Sequence, residues 1–226
     1  MNSRKLIQPF RAAFEPLQDP LRAEAMQAYL RGQFQFLGLS APVRREAAKQ
    51  IVNASHSREE LLATVEVLWT LPQREYRYTA IDLLVRWKKW LTVKDVPMLI
   101  ALANREPWWE TVDGLSGVIS DVLWVDADRG VMEFPVMERA LVSNQMWSRR
   151  IAMTHQLGWR HHTIPDRLFR YALTLADEKE FFIRKAIGWA LRDYARIAPR
   201  AVKTFIKKDG SVLSPLSIRE AMKRLE

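Results

Sequence analysis

The 226-residue chain contains no cysteine, which removes disulfide frameworks, cysteine zinc sites and thiol nucleophiles together and gives no sign of an oxidising compartment. Glycine and proline are sparse, at 8 and 11 residues, and period-two alternation bounded by Gly or Asn turns is scarce, so a β architecture lacks its signature. The opening MNSRKLIQPFRAAFEPLQDP has no apolar run of signal-peptide length, and no window reaches the roughly 18 uncharged apolar residues that a membrane span needs. A soluble, unprocessed, cytoplasmic chain with no membrane partner is expected, nucleoid-associated if its source is bacterial. Also missing are GxxxxGK followed by Ser or Thr, GxGxxG after a strand, HExxH and GxSxG, so nucleotide hydrolysis, Rossmann redox chemistry and common hydrolase sites have no anchor. His161 and His162 with His155 make a poor metal set, because adjacent imidazoles point apart on a helix and no acid motif completes it. Neither a metal nor a cofactor is expected.

What is present is a hydrophobic fraction of 48%, enough to bury a substantial core at this length, and no Gly-, Ser- or Pro-rich linker divides it. A single domain over 1–226 is the expectation. Charge is unevenly spread: residues 1–146 hold 18 basic and 18 acidic side chains, whereas 147–226 hold 17 and 8, so the last third carries the whole net charge of +9. Such asymmetry points to a polyanion partner, most economically nucleic acid, because neutralising phosphates releases condensed counterions.

Apolar residues recur at spacings of three and four, and start signals are plain. Ser40 precedes Ala-Pro-Val-Arg-Arg-Glu, Thr163 precedes Ile-Pro-Asp, Asp177 precedes Glu-Lys-Glu-Phe-Phe, and Ser214 precedes Pro215. Each has an oxygen that can accept from a free first-turn amide, and proline at a helix start forfeits no hydrogen bond. The pattern predicts about a dozen short helices and an all-α fold. These helices repeat, since Ala47, Ala80, Ser116, Ala152 and Ala186 form a column of small residues separated by 33, 36, 36 and 34 positions. Helix pairs of that length cannot bury their apolar faces alone, so a curved solenoid of HEAT-like repeats, with one inner helix per repeat lining a concave face, is expected.

Four segments carry possible chemistry. In Glu106-Pro107-Trp108-Trp109-Glu110-Thr111-Val112-Asp113 the proline is expected to open a helix, which puts Trp109 and Asp113 a turn apart on one face. There the carboxylate could oppose a sugar cation or orient a water while the indole faces a cationic ligand; alternatively both tryptophans pack between repeats and Asp113 is solvated. Trp108 points elsewhere and is expected in the core. In Asn144-Gln145-Met146-Trp147-Ser148-Arg149-Arg150 the adjacent guanidiniums could grip a phosphate with their planar forks, or simply be solvated, while Trp147 packs inward. Phe181-Phe182-Ile183-Arg184-Lys185-Ala186-Ile187-Gly188-Trp189-Ala190-Leu191-Arg192-Asp193-Tyr194 has an inner-helix pattern, with Gly188 allowing close approach of a ligand or a neighbouring helix; alternatively Trp189 is an interlocking core residue. Tyr29-Leu30-Arg31-Gly32 reads as an aromatic helix end followed by a turn.

The combination FLGLSAPVRR, PWWETVDGL, NQMWSRRIA and FFIRKAIGWALRDYA resembles the AlkD-type DNA alkylation repair glycosylases, which are built from HEAT-like repeats. The resemblance runs from about Tyr29 to Tyr194 in the same order. It implies monofunctional excision of cationic N3- or N7-alkylated purines, such as 3-methyladenine and 7-methylguanine, from duplex DNA, with the lesion held in the duplex instead of being flipped out. Asp113 matches the family's essential aspartate, Trp109 and Trp189 its lesion-facing tryptophans, Arg150 the arginine of its third motif, and Tyr29 a tyrosine of its DNA cleft. Phosphates would then be held by Arg149, Arg150 and the basic carboxyl-terminal helices, including Lys203, Lys207, Lys208, Lys223 and Arg224, and the protein would act as a monomer. No lysine stands out as the amine nucleophile that lyase chemistry requires. Two other classes remain open on the sequence: a non-catalytic HEAT-like protein that binds damaged or branched DNA, and a protein-binding helical repeat.

Overall fold

The computed structural model describes residues 3–54, 57–130, 133–223 and 225, and among them no strand occurs, only an isolated bridge between Gln35 and Gln73. The fold is all-α, as the spacing predicts. Backbone contacts divide it into two compact units, Met1–Leu91 and Thr92–Glu226.

The first unit contains α1 (Ser3–Phe14), α2 (Pro20–Tyr29), α3 (Ala41–Asn53), α4 (Arg58–Trp69) and α5 (Arg74–Arg86). Helices α3 and α5 pack together, and α1 lies against α3 and α4. Phe10 and Phe14 of α1 and Leu61, Val65, Leu68, Leu83 and Leu84 of α4 and α5 make its core. The loop between α2 and α3 is held from beneath by the fully buried Glu75, whose carboxylate accepts the amides of Leu37, Gly38 and Leu39 at 3.0, 2.9 and 3.1 Å. At Gly38 a side chain is excluded twice over: φ is +90°, and a Cβ would overlap the Asp19 carbonyl oxygen.

The second unit contains α6 (Val96–Ala103), α7 (Trp109–Asp128), α8 (Pro135–Leu141), α9 (Met146–Thr154), α10 (Pro165–Thr174), α11 (Phe181–Ala195), α12 (Pro199–Asp209) and α13 (Pro215–Met222). Helices α7, α9 and α11 pack in sequence, and α13 lies along α11. The small-residue column falls on every second helix, α3, α5, α7, α9 and α11. Its members Ala80, Ser116, Ala152 and Ala186 are at most 4% exposed, whereas Ala47 is only partly buried; burial between packed helices suits side chains this small.

Start signals hold in part. Ser40 and Ser214 occupy N-cap positions, and Ser214 accepts the Ser217 amide at 3.0 Å. The other three helices begin later than expected. Ile164, not Thr163, precedes α10; Glu180, not Asp177, precedes α11; and α7 starts at Trp109 instead of Pro107, after an extended Trp108. Residues 160–162 form a tight 3-10 turn that ends at Thr163, and Asp177 belongs to the turn that closes α10. At Thr163 and Asp177 the candidate cap residue is thus taken up by the turn that precedes the helix.

Candidate active site

Three helices of the second unit converge on Asp113. It sits on α7, one turn after Trp109. Opposite it on α9, Arg150 donates Nε to Oδ1 and Nη2 to Oδ2, both at 2.8 Å, so guanidinium and carboxylate meet fork to fork. The remaining guanidinium arm donates to the Phe182 carbonyl on α11. Arg150 is 1% exposed, whereas the Asp113 side chain keeps 29% of its surface open. The pair therefore presents its anionic half to solvent and hides its cationic half.

Trp189, on α11, stands over the same group: the Arg150 guanidinium carbon lies 5.0 Å from its ring centroid and the Lys185 ammonium 5.6 Å away. Lys185 is in turn held 2.9 Å from Glu220 of α13, which also takes Arg192 at 3.0 Å and Lys223 at 2.6 Å. Burial alone would raise the Glu220 carboxyl, but hydrogen bonds and charge from Lys223 and Lys185 outweigh it and hold the acid at about 2. A Cβ on Gly188 would collide with the Glu220 side chain, so the close approach expected at this glycine is that of α13.

The arrangement is braced from behind by aromatic packing. Trp147 and Phe182 have ring centroids 4.9 Å apart, and Trp108 lies 6.2 and 5.4 Å from them. This knot ties the starts of α7, α9 and α11; Trp147 is buried as expected, whereas Trp108, expected in the core, packs in the knot but stays only half-buried. Below Asp113, the Ser116 and Thr154 hydroxyls pair at 2.8 Å, and Thr154 donates to the Arg150 carbonyl. A cavity of about 140 Å³, lined by Asp113, Ser116, Gly117, Ser120, Thr154, Leu157 and Trp189, opens beside the carboxylate. Asp113 and Trp189 thus share one recess, and Trp109, half-buried, lies one turn along the same helix.

Other sequence-selected residues lie elsewhere. Arg150, expected to grip phosphate, is sealed against Asp113. Arg149 points another way, pairing with Glu178 and donating to the Ser143 carbonyl at 2.7 Å. Lys203, Lys207 and Lys208 are exposed on α12, while Val202 and Phe205 of that helix are buried. Lys223 is ion-paired with Glu220 and half-exposed, and Arg224 lies outside the described residues. Tyr29 ends α2 in the first unit and is 73% exposed. His161 and His162 lie in the 3-10 turn, and no group of metal-ligating side chains forms among the described residues. Lys185 and Phe182 were missed on the sequence. The four-residue step from Lys185 to Trp189 was the one signal that pointed to the lysine.

The fold and site define a class: an all-helical protein with its small-residue column on alternate helices, which pairs an acid with a buried arginine beside an indole, on a chain of net charge +9. The family model described as "DNA alkylation repair enzyme" matches residues 10–225, and the chain belongs to that family. It is 31% identical to the structure of a predicted DNA alkylation repair enzyme from Enterococcus faecalis, with a TM-score of 0.85 over 92% of this chain and 96% of that one. The fold is shared with AlkD2 from Streptococcus mutans at 17% identity (TM-score 0.64, 89% and 98% covered). It is shared also with smu.31 from Streptococcus mutans UA159 at 16% (0.63, 88% and 98%). No curated protein matches the chain. No helix among the described residues is long and apolar enough to cross a membrane.

Proposed function

We propose that this chain is a monomeric, monofunctional DNA glycosylase that removes cationic N3- or N7-alkylated purines, such as 3-methyladenine and 7-methylguanine, from duplex DNA as the first step of base excision repair. The observation that carries this reading is the Asp113 carboxylate, clamped by a buried guanidinium yet open to solvent beside Trp189. An alkylated purine already bears positive charge, so the C1′–N bond can break with its electron pair passing to the purine nitrogen. The base then leaves neutral and needs no general acid. Positive charge moves to C1′ and the ring oxygen of the sugar, where Asp113 opposes it and orients the water whose oxygen bonds to C1′. That water gives up a proton to the surrounding solvent, and an abasic site remains.

The Arg150 fork fixes where the two carboxylate oxygens point, acting on the chemistry through Asp113. Trp189, and Trp109 one turn before the acid, offer ring faces to the cationic nucleotide. The recess of about 140 Å³ resembles in volume a cavity that takes one benzene and falls well below the roughly 300 Å³ at which ligand pockets begin. It favours a lesion retained in the helix over one extruded and enclosed. Lys203, Lys207 and Lys208 supply exposed charge for phosphates, and Tyr29 offers an exposed ring to the duplex. Arg149 would have to leave Glu178 to join them.

The test is single-turnover release of 7-methylguanine from methylated duplex. Asp113→Asn should lose roughly a hundredfold or more in rate, the scale of one lost transition-state stabiliser, with duplex affinity retained in protein that circular dichroism shows to be folded. An unchanged rate would eliminate the mechanism. A second reading, a non-catalytic protein that binds damaged or branched DNA, draws on the same ion pair, since a fork-to-fork bridge is also an ordinary structural device; absence of excision in both proteins would favour it.

A further inference from the structure

Gly117 is an anomaly of the site. It lies inside the 20-residue helix α7, four positions after Asp113 and therefore on the same face. Glycine in a helix interior is destabilising relative to alanine, because it adds backbone freedom to the unfolded chain and packs nothing. Elsewhere in this unit such a cost is explained: at Gly188 a Cβ would strike α13. At Gly117 nothing comes within 4 Å of the position a Cβ would take, and φ is not in the left-handed region. Neither packing nor backbone geometry in the free protein requires the missing side chain. The empty space next to it is the recess walled by Asp113, Ser116, Ser120, Thr154, Leu157 and Trp189.

We propose that Gly117 is a specificity-determining residue of this site: its bare backbone leaves the room in which the deoxyribose of the target nucleotide closes on α7 beside Asp113. This rests on the glycosylase reading for what happens to that sugar, but not for the clearance itself. A side chain here would project into the recess from the α7 wall and hold the sugar away from the carboxylate. Because rate depends on the reacting atoms being held in register with the carboxylate and its water, a displacement of about an ångström is enough to cost on the order of a hundredfold in rate.

Two variants and two kinds of duplex test it. Gly117→Ala should melt no lower than the wild type and about 2 °C higher if the whole helix-propensity gain is realised. Gly117→Leu should remain folded, because leucine is a good helix former entering open space. It should lose at least tenfold in single-turnover excision of 7-methylguanine. By fluorescence anisotropy it should also lose the wild type's preference for a duplex carrying a tetrahydrofuran abasic analogue over undamaged duplex, with affinity for the undamaged duplex unchanged. Retention by Gly117→Leu of both wild-type excision and wild-type preference would overturn the proposal. So would a marked drop in melting temperature for Gly117→Ala, which would make the glycine a packing residue. If the wild type prefers the abasic analogue but excises nothing, and Gly117→Leu removes that preference, the clearance role stands and the glycosylase reading falls. A wild type with neither excision nor preference overturns both.

Discussion

The bridge between Asp113 and Arg150 makes a thermodynamic statement that can be measured without any DNA. Arg150 is 1% exposed and spends its whole fork on Asp113 and the Phe182 carbonyl. Asp113→Asn keeps the size of the side chain but turns an amide N–H₂ toward a guanidinium donor, stranding a buried cation. Breaking a fully buried pair in this way costs about 3–5 kcal/mol; because 29% of the Asp113 side chain is open to water, about 2–4 kcal/mol is expected here. Arg150→Met leaves instead a partly solvated carboxylate and a first-turn helical carbonyl without its second donor, for about 1–3 kcal/mol. In the double variant the stranded charges are both gone, so its loss should fall short of the sum of the singles by about 2 kcal/mol. Urea unfolding followed by far-ultraviolet circular dichroism on the four proteins gives the coupling energy directly. Losses that add to within about 0.5 kcal/mol would refute a tight fork-to-fork bridge.

Two further outcomes are expected. His155 is completely buried, with Nδ1 donating to the Ala152 carbonyl at 2.6 Å and its ring against Trp159 and Tyr171. Burial drives its pKa down to about 4 against the opposing pull of that hydrogen bond. The unfolded chain therefore binds a proton near pH 6.5 that the folded chain refuses until about 4, so stability is full above that window and falls as pH is lowered through it, by at most about 3 kcal/mol. His155→Phe should flatten this part of the urea-midpoint profile between pH 7.5 and 4.5, and an unchanged slope would contradict the assignment. Gly188→Ala should destabilise strongly despite alanine's better helix propensity, because the added methyl would overlap Glu220 and crowd the Ser217 carbonyl. A melting temperature equal to that of the wild type would mean that α13 does not dock as closely as described.

The sequence by itself determined the all-α class, the alternation of helices marked by Ala80, Ser116, Ala152 and Ala186, and the one-face placement of Trp109 and Asp113. These are consequences of helical periodicity and of the space available where helices cross, and both are written locally. It also pointed to an acid-and-indole site through four short motifs. The sequence did not determine which of Arg149 and Arg150 meets Asp113. Adjacent helical residues point about 100° apart, and the rotation of α9 that turns Arg150 inward goes with Trp147 packing against Trp108, just before α7, and Phe182 of α11. The same is true of the division after Leu91, of Glu220 gathering Lys185 and Arg192 from α11, and of the open space at Gly117. Each is a relation between segments far apart in the chain. Which surfaces meet is decided only when the whole set of side chains is packed at once, because a buried charge or a missing methyl has meaning only through what stands opposite it.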